Sequence, residues 1–61
     1  MITVIFVKSH GVWKYHAFFK DKTVADKELH YLDGRNVKYQ IKHITKFDHE
    51  VIQDIEDSLN A

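Results

Sequence analysis

Cysteine and proline are absent from the chain, and glycine occurs only twice, as Gly11 and Gly34. Without cysteine, neither a disulfide nor a thiolate metal site can stabilise the fold. So few glycines exclude a glycine-rich phosphate-binding loop and, with no proline, predict short loops with two breakpoints. Stability must therefore come from a core of aliphatic and aromatic side chains.

Long hydrophobic runs are absent too. No apolar run approaches the roughly 18 residues that a membrane-spanning helix needs, and the start of the chain lacks the basic and apolar regions of a signal peptide. These absences predict a cytoplasmic protein that does not bind membranes, and the lack of cysteine agrees with that compartment. With 61 residues, the chain is predicted to form one small, marginally stable domain over residues 1–61.

The segment Ile2–Lys8 would be apolar on both faces of an extended strand, because side chains alternate and apolar ones fall at both even and odd positions. A strand of that kind is buried on both sides, so the segment is predicted to be the centre of a small sheet. The core residues expected in it are Val4, Ile5, Phe6 and Val7. The residues that follow, from Ser9 to Gly11, predict a tight hairpin, because glycine tolerates positive φ.

The second predicted strand, Val12–Lys20, alternates between apolar and polar positions. Strict alternation gives it a packed face made of Trp13, Tyr15, Ala17 and Phe19. The other face is more polar, and Phe18 is its exception. A third predicted strand, Asn36–Lys46, alternates as clearly as the second.

The segment between these two strands allows two interpretations. The favoured one is a helix that begins at a capping box formed by Thr23 and Asp26 and ends at Gly34. In the other interpretation, Glu28–Leu32 is a strand followed by a hairpin turn. That alternative gives a four-stranded antiparallel meander with one C-terminal helix.

The segment Asp48–Asn60 is predicted to be a helix capped by Asp48, with Phe47 packing on Ile52. Its apolar stripe consists of Val51, Ile52, Ile55 and Leu59. The complete order is then β-β-α-β-α. The fold class is a small α+β domain with a three-stranded sheet of order 2-1-3, the first strand central, and two helices.

The charges are segregated along the chain although the formal net charge is zero. Residues 1–47 contain all nine lysines and arginines but only four acids, a net charge of +5, whereas residues 48–61 contain five acids and no base. Because charge complementarity steers association, the last helix is predicted to bind a basic protein partner. The predicted partner-binding residues are Asp48, Glu50, Asp54, Glu56 and Asp57. The alternatives are a solvated face or a helix folded back over the chain's own lysines.

A lysine-rich sheet face is a second candidate surface. If both outer strands alternate regularly, basic side chains and one aromatic share a face, as in proteins that bind single-stranded nucleic acid. The predicted nucleic-acid-binding residues are Lys14, His16, Phe18, Lys20, Lys38, Lys42 and Lys46. The competing interpretation is that these lysines only keep edge strands from pairing with other chains.

Neither a metal site nor a catalytic site is predicted. The five histidines are at least six residues apart, whereas zinc ligands usually include a pair three to five residues apart. Ser9 and His10 are adjacent, but a nucleophile and its base need facing side chains and an orienting acid. A chain this short also leaves little room for a pocket of about 300 Å³ or more. No enzyme activity and no cofactor are therefore expected.

In size and style the chain resembles the small single-domain accessory proteins that bacteriophages and other mobile elements encode. Such proteins often act by binding one host protein and blocking or modulating it. The resemblance implies a phage-type inhibitor or an antitoxin-like regulator, and it carries no motif from which functional residues could be transferred. The main hypothesis is a non-enzymatic protein-interaction module. A homodimer that pairs edge strands is a further hypothesis.

Overall fold

Five secondary-structure elements follow one another in the order β-β-α-β-α. The computed structural model describes residues 1–61, and its elements are β1 (Ile2–Ser9), β2 (Val12–Phe19), α1 (Lys22–Gly34), β3 (Tyr39–Ile44) and α2 (His49–Leu59). The strands form one sheet in the order β2-β1-β3, and both outer strands run antiparallel to β1. The predicted element order and the central first strand are confirmed. The four-stranded alternative is wrong, because residues 28–32 belong to α1.

The centre of the core is β1, which is covered on both of its faces. Val4, Ile5 and Phe6 are completely buried, whereas Val7, also expected in the core, is only half-buried. Val4 and Phe6 point to one face of the sheet and pack with α2. Ile5 points to the other face, where α1 buries Ala25. The two helices therefore lie on opposite faces of the sheet, which are called the α2 side and the α1 side below.

The β1–β2 hairpin closes through a two-residue turn. Ser9 pairs with Val12, and between them His10 and Gly11 have φ values of 53° and 80°. Two successive positive φ values define a type I′ turn, whose twist matches that of the flanking strands. The predicted tight hairpin is confirmed.

Replacing Gly11 by alanine should lower the free energy of unfolding by about 1–2 kcal/mol, the cost of a left-handed backbone for an L-residue. No atom lies within 4 Å of the added Cβ, so the cost is conformational rather than steric. Gly34→Ala is the matched control, because Gly34 has equally open space and no positive φ. Gly34→Ala should raise the free energy of unfolding by about 0.4–1 kcal/mol. Urea unfolding measures both changes, and equal effects would contradict the turn geometry.

A β-bulge interrupts β2 at His16. Ile5 pairs with Ala17, but the next residue of β1, Phe6, pairs with Tyr15. His16 therefore has no partner on β1, and the alternation of side chains shifts by one position at this point.

The bulge corrects the predicted faces of β2. Strict alternation predicts Tyr15 and Phe18 on opposite faces, but both lie on the α2 side. Their ring centroids are 6.2 Å and 4.3 Å from that of Phe47. Ala17 and Phe19 lie on the α1 side instead. Phe18, the exception in the sequence pattern, thus belongs to the aromatic packing beside α2.

The N-terminal cap of α1 differs from the sequence prediction, whereas the helix ends at Gly34 as predicted. The helix is capped by Asp21, whose carboxylate accepts a hydrogen bond from the Thr23 N–H (2.8 Å), so Thr23 is not the cap. At the other end, the left-handed residue is Asn36, with φ of 58°, and not Gly34. Asparagine fits there because it tolerates positive φ better than most residues.

α2 begins as predicted, and one residue of its predicted stripe is misplaced. The Asp48 carboxylate caps the helix by accepting a hydrogen bond from the backbone N–H two residues later (2.8 Å). Ile52 is buried, and Ile55 and Leu59 pack against the same cluster. Val51 is 38% exposed, because it lies on the flank of the helix away from the sheet.

Candidate protein-interaction surface

The outward side of α2 carries a continuous row of acids. Glu50, Asp54 and Asp57 are spaced by four and three residues, which places them along one line of a helix. All three are exposed, and they lie on the side opposite Ile52, which faces the core. These three residues are called the acidic stripe. The exposed Val51 adjoins it.

The other two acids of the predicted set have partners within the domain. Asp48 caps α2. Glu56 is half-buried, and its Oε2 accepts a hydrogen bond from the Tyr15 N–H (2.8 Å). The structure therefore brings three of the five predicted partner-binding residues into one row and turns Glu56 toward β2.

Side chains near the end of α2 cover the outer edge of β2. Asn60 Oδ1 accepts a hydrogen bond from the Trp13 N–H (2.7 Å), and its Nδ2 donates one to the Trp13 carbonyl (2.9 Å). Together with Glu56 on Tyr15, it occupies backbone groups to which another strand could bind. Glu56 and Asn60 are called the edge clamp. No local sequence pattern signals it, because its contacts join residues 41 and 47 positions apart.

No acid of the stripe is neutralised by a base of the same molecule. The only ion pair joins His16 Nε2 to Glu28 Oε2 on α1, at 2.8 Å. Asp57 accepts a hydrogen bond from the neutral amide of Gln53 (2.9 Å). The sequence left open a helix folded back over the chain's own lysines. α2 packs on the sheet face that carries Lys42, but no lysine forms an ion pair with an acid of the helix.

The predicted lysine face is divided between the two sides of the sheet. Lys14 pairs with Val7 and lies on the α1 side, whereas Lys42 pairs with Val4 and lies on the α2 side. The bulge causes this division, because regular alternation through β2 would have put Lys14 on the α2 side. Of the other predicted members, His16 is on the α1 side, Phe18 and Lys38 are on the α2 side, and Lys20 and Lys46 lie beyond the strand ends.

The histidines are dispersed over the domain. No three histidine or acidic side chains lie close enough together to hold a metal ion. His49 packs edge-on against Phe47, with ring centroids 5.2 Å apart, and His16 bonds to Glu28. These two histidines therefore have structural contacts.

A cavity of about 360 Å³ lies between α1 and the β1–β3 part of the sheet, although the chain length predicted little room for one. Ala25 and Leu29 of α1 line it together with Ile41 of β3. Thr3 and His43 face each other across the strands at its floor. No hydrogen bond joins them and no carboxylate bonds to the imidazole, so they do not form the oriented nucleophile–base pair that catalysis needs.

Tyr39, the first residue of β3, has a shifted titration. Burial raises the pKa of its phenol, and the neighbouring Asp33 carboxylate raises it further through its charge and a hydrogen bond. The protonated form of the phenol, which can donate a hydrogen bond, therefore persists to a higher pH than in an ordinary tyrosine.

Comparisons with models of protein families, with curated proteins and with solved structures give no match to this chain. Neither α1 nor α2 has the length and apolar character that crossing a membrane requires. What the domain does must therefore be inferred from the surfaces described above.

Proposed function

We propose that the domain is a non-enzymatic protein-interaction module that binds a basic surface of another protein through the acidic stripe. One observation carries the proposal: Glu50, Asp54 and Asp57 are exposed in a row and have no basic partner in the same molecule. Unpaired charges of one sign on a packed helix attract a surface of the opposite sign and disfavour acidic ones.

The location of Asp57 adds support. It lies in the last turn of α2, where the helix dipole disfavours negative charge, and that turn contains no basic residue. A lysine there would stabilise the helix by about 0.3–1 kcal/mol, more than the roughly 0.2–0.5 kcal/mol that the hydrogen bond from Gln53 to Asp57 supplies, so folding alone does not favour an acid. Contact with a basic partner does explain it.

The chemistry of the partner follows from the residues around the stripe. Val51 is 38% exposed beside the acids, so the partner surface should combine basic groups with an apolar contact. Interfaces commonly join an apolar centre to a polar rim in this way. In the finer form of the proposal, binding inhibits or regulates that one partner.

Asp57→Lys should weaken partner binding at least tenfold while slightly stabilising the domain. Like charges brought together in an interface cost several kcal/mol, and about 1.4 kcal/mol corresponds to tenfold in affinity. The control is Asp26→Lys, which makes the same change in net charge on an exposed position of α1. It should bind like the unmodified protein.

The partner is first sought by affinity capture from nuclease-treated lysate of the source organism, with the unmodified domain and both variants. A protein that the unmodified domain and Asp26→Lys retain, and Asp57→Lys loses, is then purified and titrated by calorimetry at several salt concentrations. Equal capture by all three proteins would remove the acidic stripe as the binding surface. Capture that occurs in untreated lysate and is lost in nuclease-treated lysate would indicate that the domain binds nucleic acid instead.

A further inference from the structure

The two outer edges of the sheet differ in how their backbone groups are covered. On β2, the edge clamp bonds to the outward N–H groups of Trp13 and Tyr15. On β3, no side chain from either helix makes a comparable bond. Both helices also contact β2 more closely than β3. The β3 edge is therefore the accessible one.

The outward groups of β3 follow from the phase of its ladder with β1. The Lys8 N–H donates to the Lys38 carbonyl (3.0 Å), so even-numbered residues of β3 direct their backbone groups toward β1. Tyr39, Ile41 and His43 direct theirs away from it. No strand lies on that side, and exposed unpaired backbone of this kind is a template for another strand.

We propose that the β3 edge binds a second copy of this chain, with the two β3 strands antiparallel about a two-fold axis at Ile41. Each Ile41 then opposes Ile41 of the second copy, and each Tyr39 opposes His43 of the second copy. All three outward residues of one strand meet outward residues of the other, so every free backbone N–H and C=O of β3 finds a partner.

Charge selects this register over its neighbours. Centred on Ile41, the pairing places Lys42 opposite the neutral Gln40 of the second copy. A shift of two residues in one direction places Lys38 opposite Lys42, and a shift in the other direction places Lys42 opposite itself. Like charges directly opposite each other destabilise a strand pair, so of these three registers only the one centred on Ile41 is free of this cost.

The resulting dimer leaves no β3 edge free. Its six strands would run β2-β1-β3-β3-β1-β2, and the outermost strands are the two copies of β2, each covered by its own edge clamp. Because both β3 edges are used, such a closed, two-fold arrangement cannot grow by adding another β3 strand. It also covers Ile41, whose side chain is 38% exposed in the single chain. A second copy of the chain is thus the partner that satisfies the β3 edge of each molecule in one contact.

Sedimentation equilibrium and amide hydrogen exchange test the proposal on the unmodified protein. The apparent mass should rise from one chain toward two with increasing concentration, and the amides of Tyr39, Ile41 and His43 should become protected over the same range. A monomer at every soluble concentration would overturn the proposal. A dimer in which these three amides exchange as fast as in the monomer would overturn it too. So would binding of an unrelated extended peptide to the β3 edge of a chain that stays monomeric.

Charge substitutions at the axis provide the matched test. Ile41→Lys should weaken dimerisation at least tenfold, because it places two lysines face to face. Val24→Lys, at a similarly exposed apolar position on α1, should leave it unchanged. Mixing Ile41→Lys with Ile41→Glu should restore a dimer containing one copy of each. Dimerisation of Ile41→Lys that equals that of Val24→Lys would contradict the proposed axis.

Discussion

Replacing Phe6 by alanine should lower the free energy of unfolding by about 3–5 kcal/mol, a large part of what a domain of this size has. Phe6 is completely buried and packs edge-on against Tyr15, with ring centroids 6.3 Å apart. Truncating a buried phenylalanine costs about 3–5 kcal/mol. At ~0.05–0.15 kcal/mol per residue, a chain of 61 residues has about 3–9 kcal/mol of stability in total. The substitution therefore removes about a third or more of that stability.

Phe6→Leu gives a measurable version of the same effect. It should cost about 1 kcal/mol and lower the melting temperature by about 4–8 °C, as followed by circular dichroism. Val24→Ala is the control, because Val24 is 46% exposed, and its effect should stay within about 0.5 kcal/mol. If Phe6→Ala were as harmless as Val24→Ala, the core on the α2 side would have been assigned wrongly.

Deleting His16 should leave the fold intact. This residue is the extra one in the bulge, so its removal gives regular alternation with Trp13 and Tyr15 still on the α2 side and Phe6 still opposite Tyr15. The main loss is the His16–Glu28 pair, a partly exposed contact of a kind worth about 0–1 kcal/mol. Urea unfolding should therefore show a decrease of roughly that size.

Deleting Lys14, two positions away, should cost about 3 kcal/mol or more, because no register then keeps both aromatic residues in place. If the bulge persists, Trp13 turns to the α1 side and loses its bonds to Asn60. If the bulge is absorbed, Tyr15 turns instead and leaves Phe6. The two deletions remove one residue each from the same strand. The difference between their unfolding free energies therefore measures the effect of changing the strand register, separately from that of shortening the strand. Equal losses would contradict the bulge.

The elements of this fold could be predicted because their signals are local. β1 is apolar on both faces, which only a central strand allows. The positive φ at Gly11 follows from a glycine placed between two predicted strands, whereas the positive φ at His10 comes with the two-residue turn. Asp48 precedes an apolar stripe of helical spacing, and the side-chain cap it forms is a contact between near neighbours in the chain.

The faces of β2 could not be predicted with the same rule. Alternation assumes that each residue of a strand has one partner on the neighbouring strand. His16 has none, so the residues of β2 before it and those after it do not follow one continuous alternation. Phe18 was the available signal, since an aromatic among polar positions indicates a shift of register. The predicted lysine face depended on the same assumption, and the structure separates Lys14 from Lys42 for that reason.

Contacts between distant residues were beyond the sequence altogether. In the sequence, nothing distinguishes Glu56 from the other four acids of the segment, and only the fold shows that it accepts a hydrogen bond from the Tyr15 N–H. The exposed position of Val51 likewise depends on how α2 is rotated against the sheet, which the spacing of apolar residues defines only approximately. The acidic stripe is what remains of the predicted surface once these contacts are known.

The edge clamp can form only late in protein synthesis, because its residues follow the β2 residues that they bind by 41 and 47 positions in the chain. Trp13 is translated 47 residues before Asn60, and at about 5–20 residues per second that interval lasts about 2–10 seconds. The β1–β2 hairpin forms in roughly microseconds once both strands have left the ribosome. Until α2 has been synthesised, the outward backbone groups of Trp13 and Tyr15 are thus expected to lack their intramolecular partners, and strands of neighbouring nascent chains can bind to them instead.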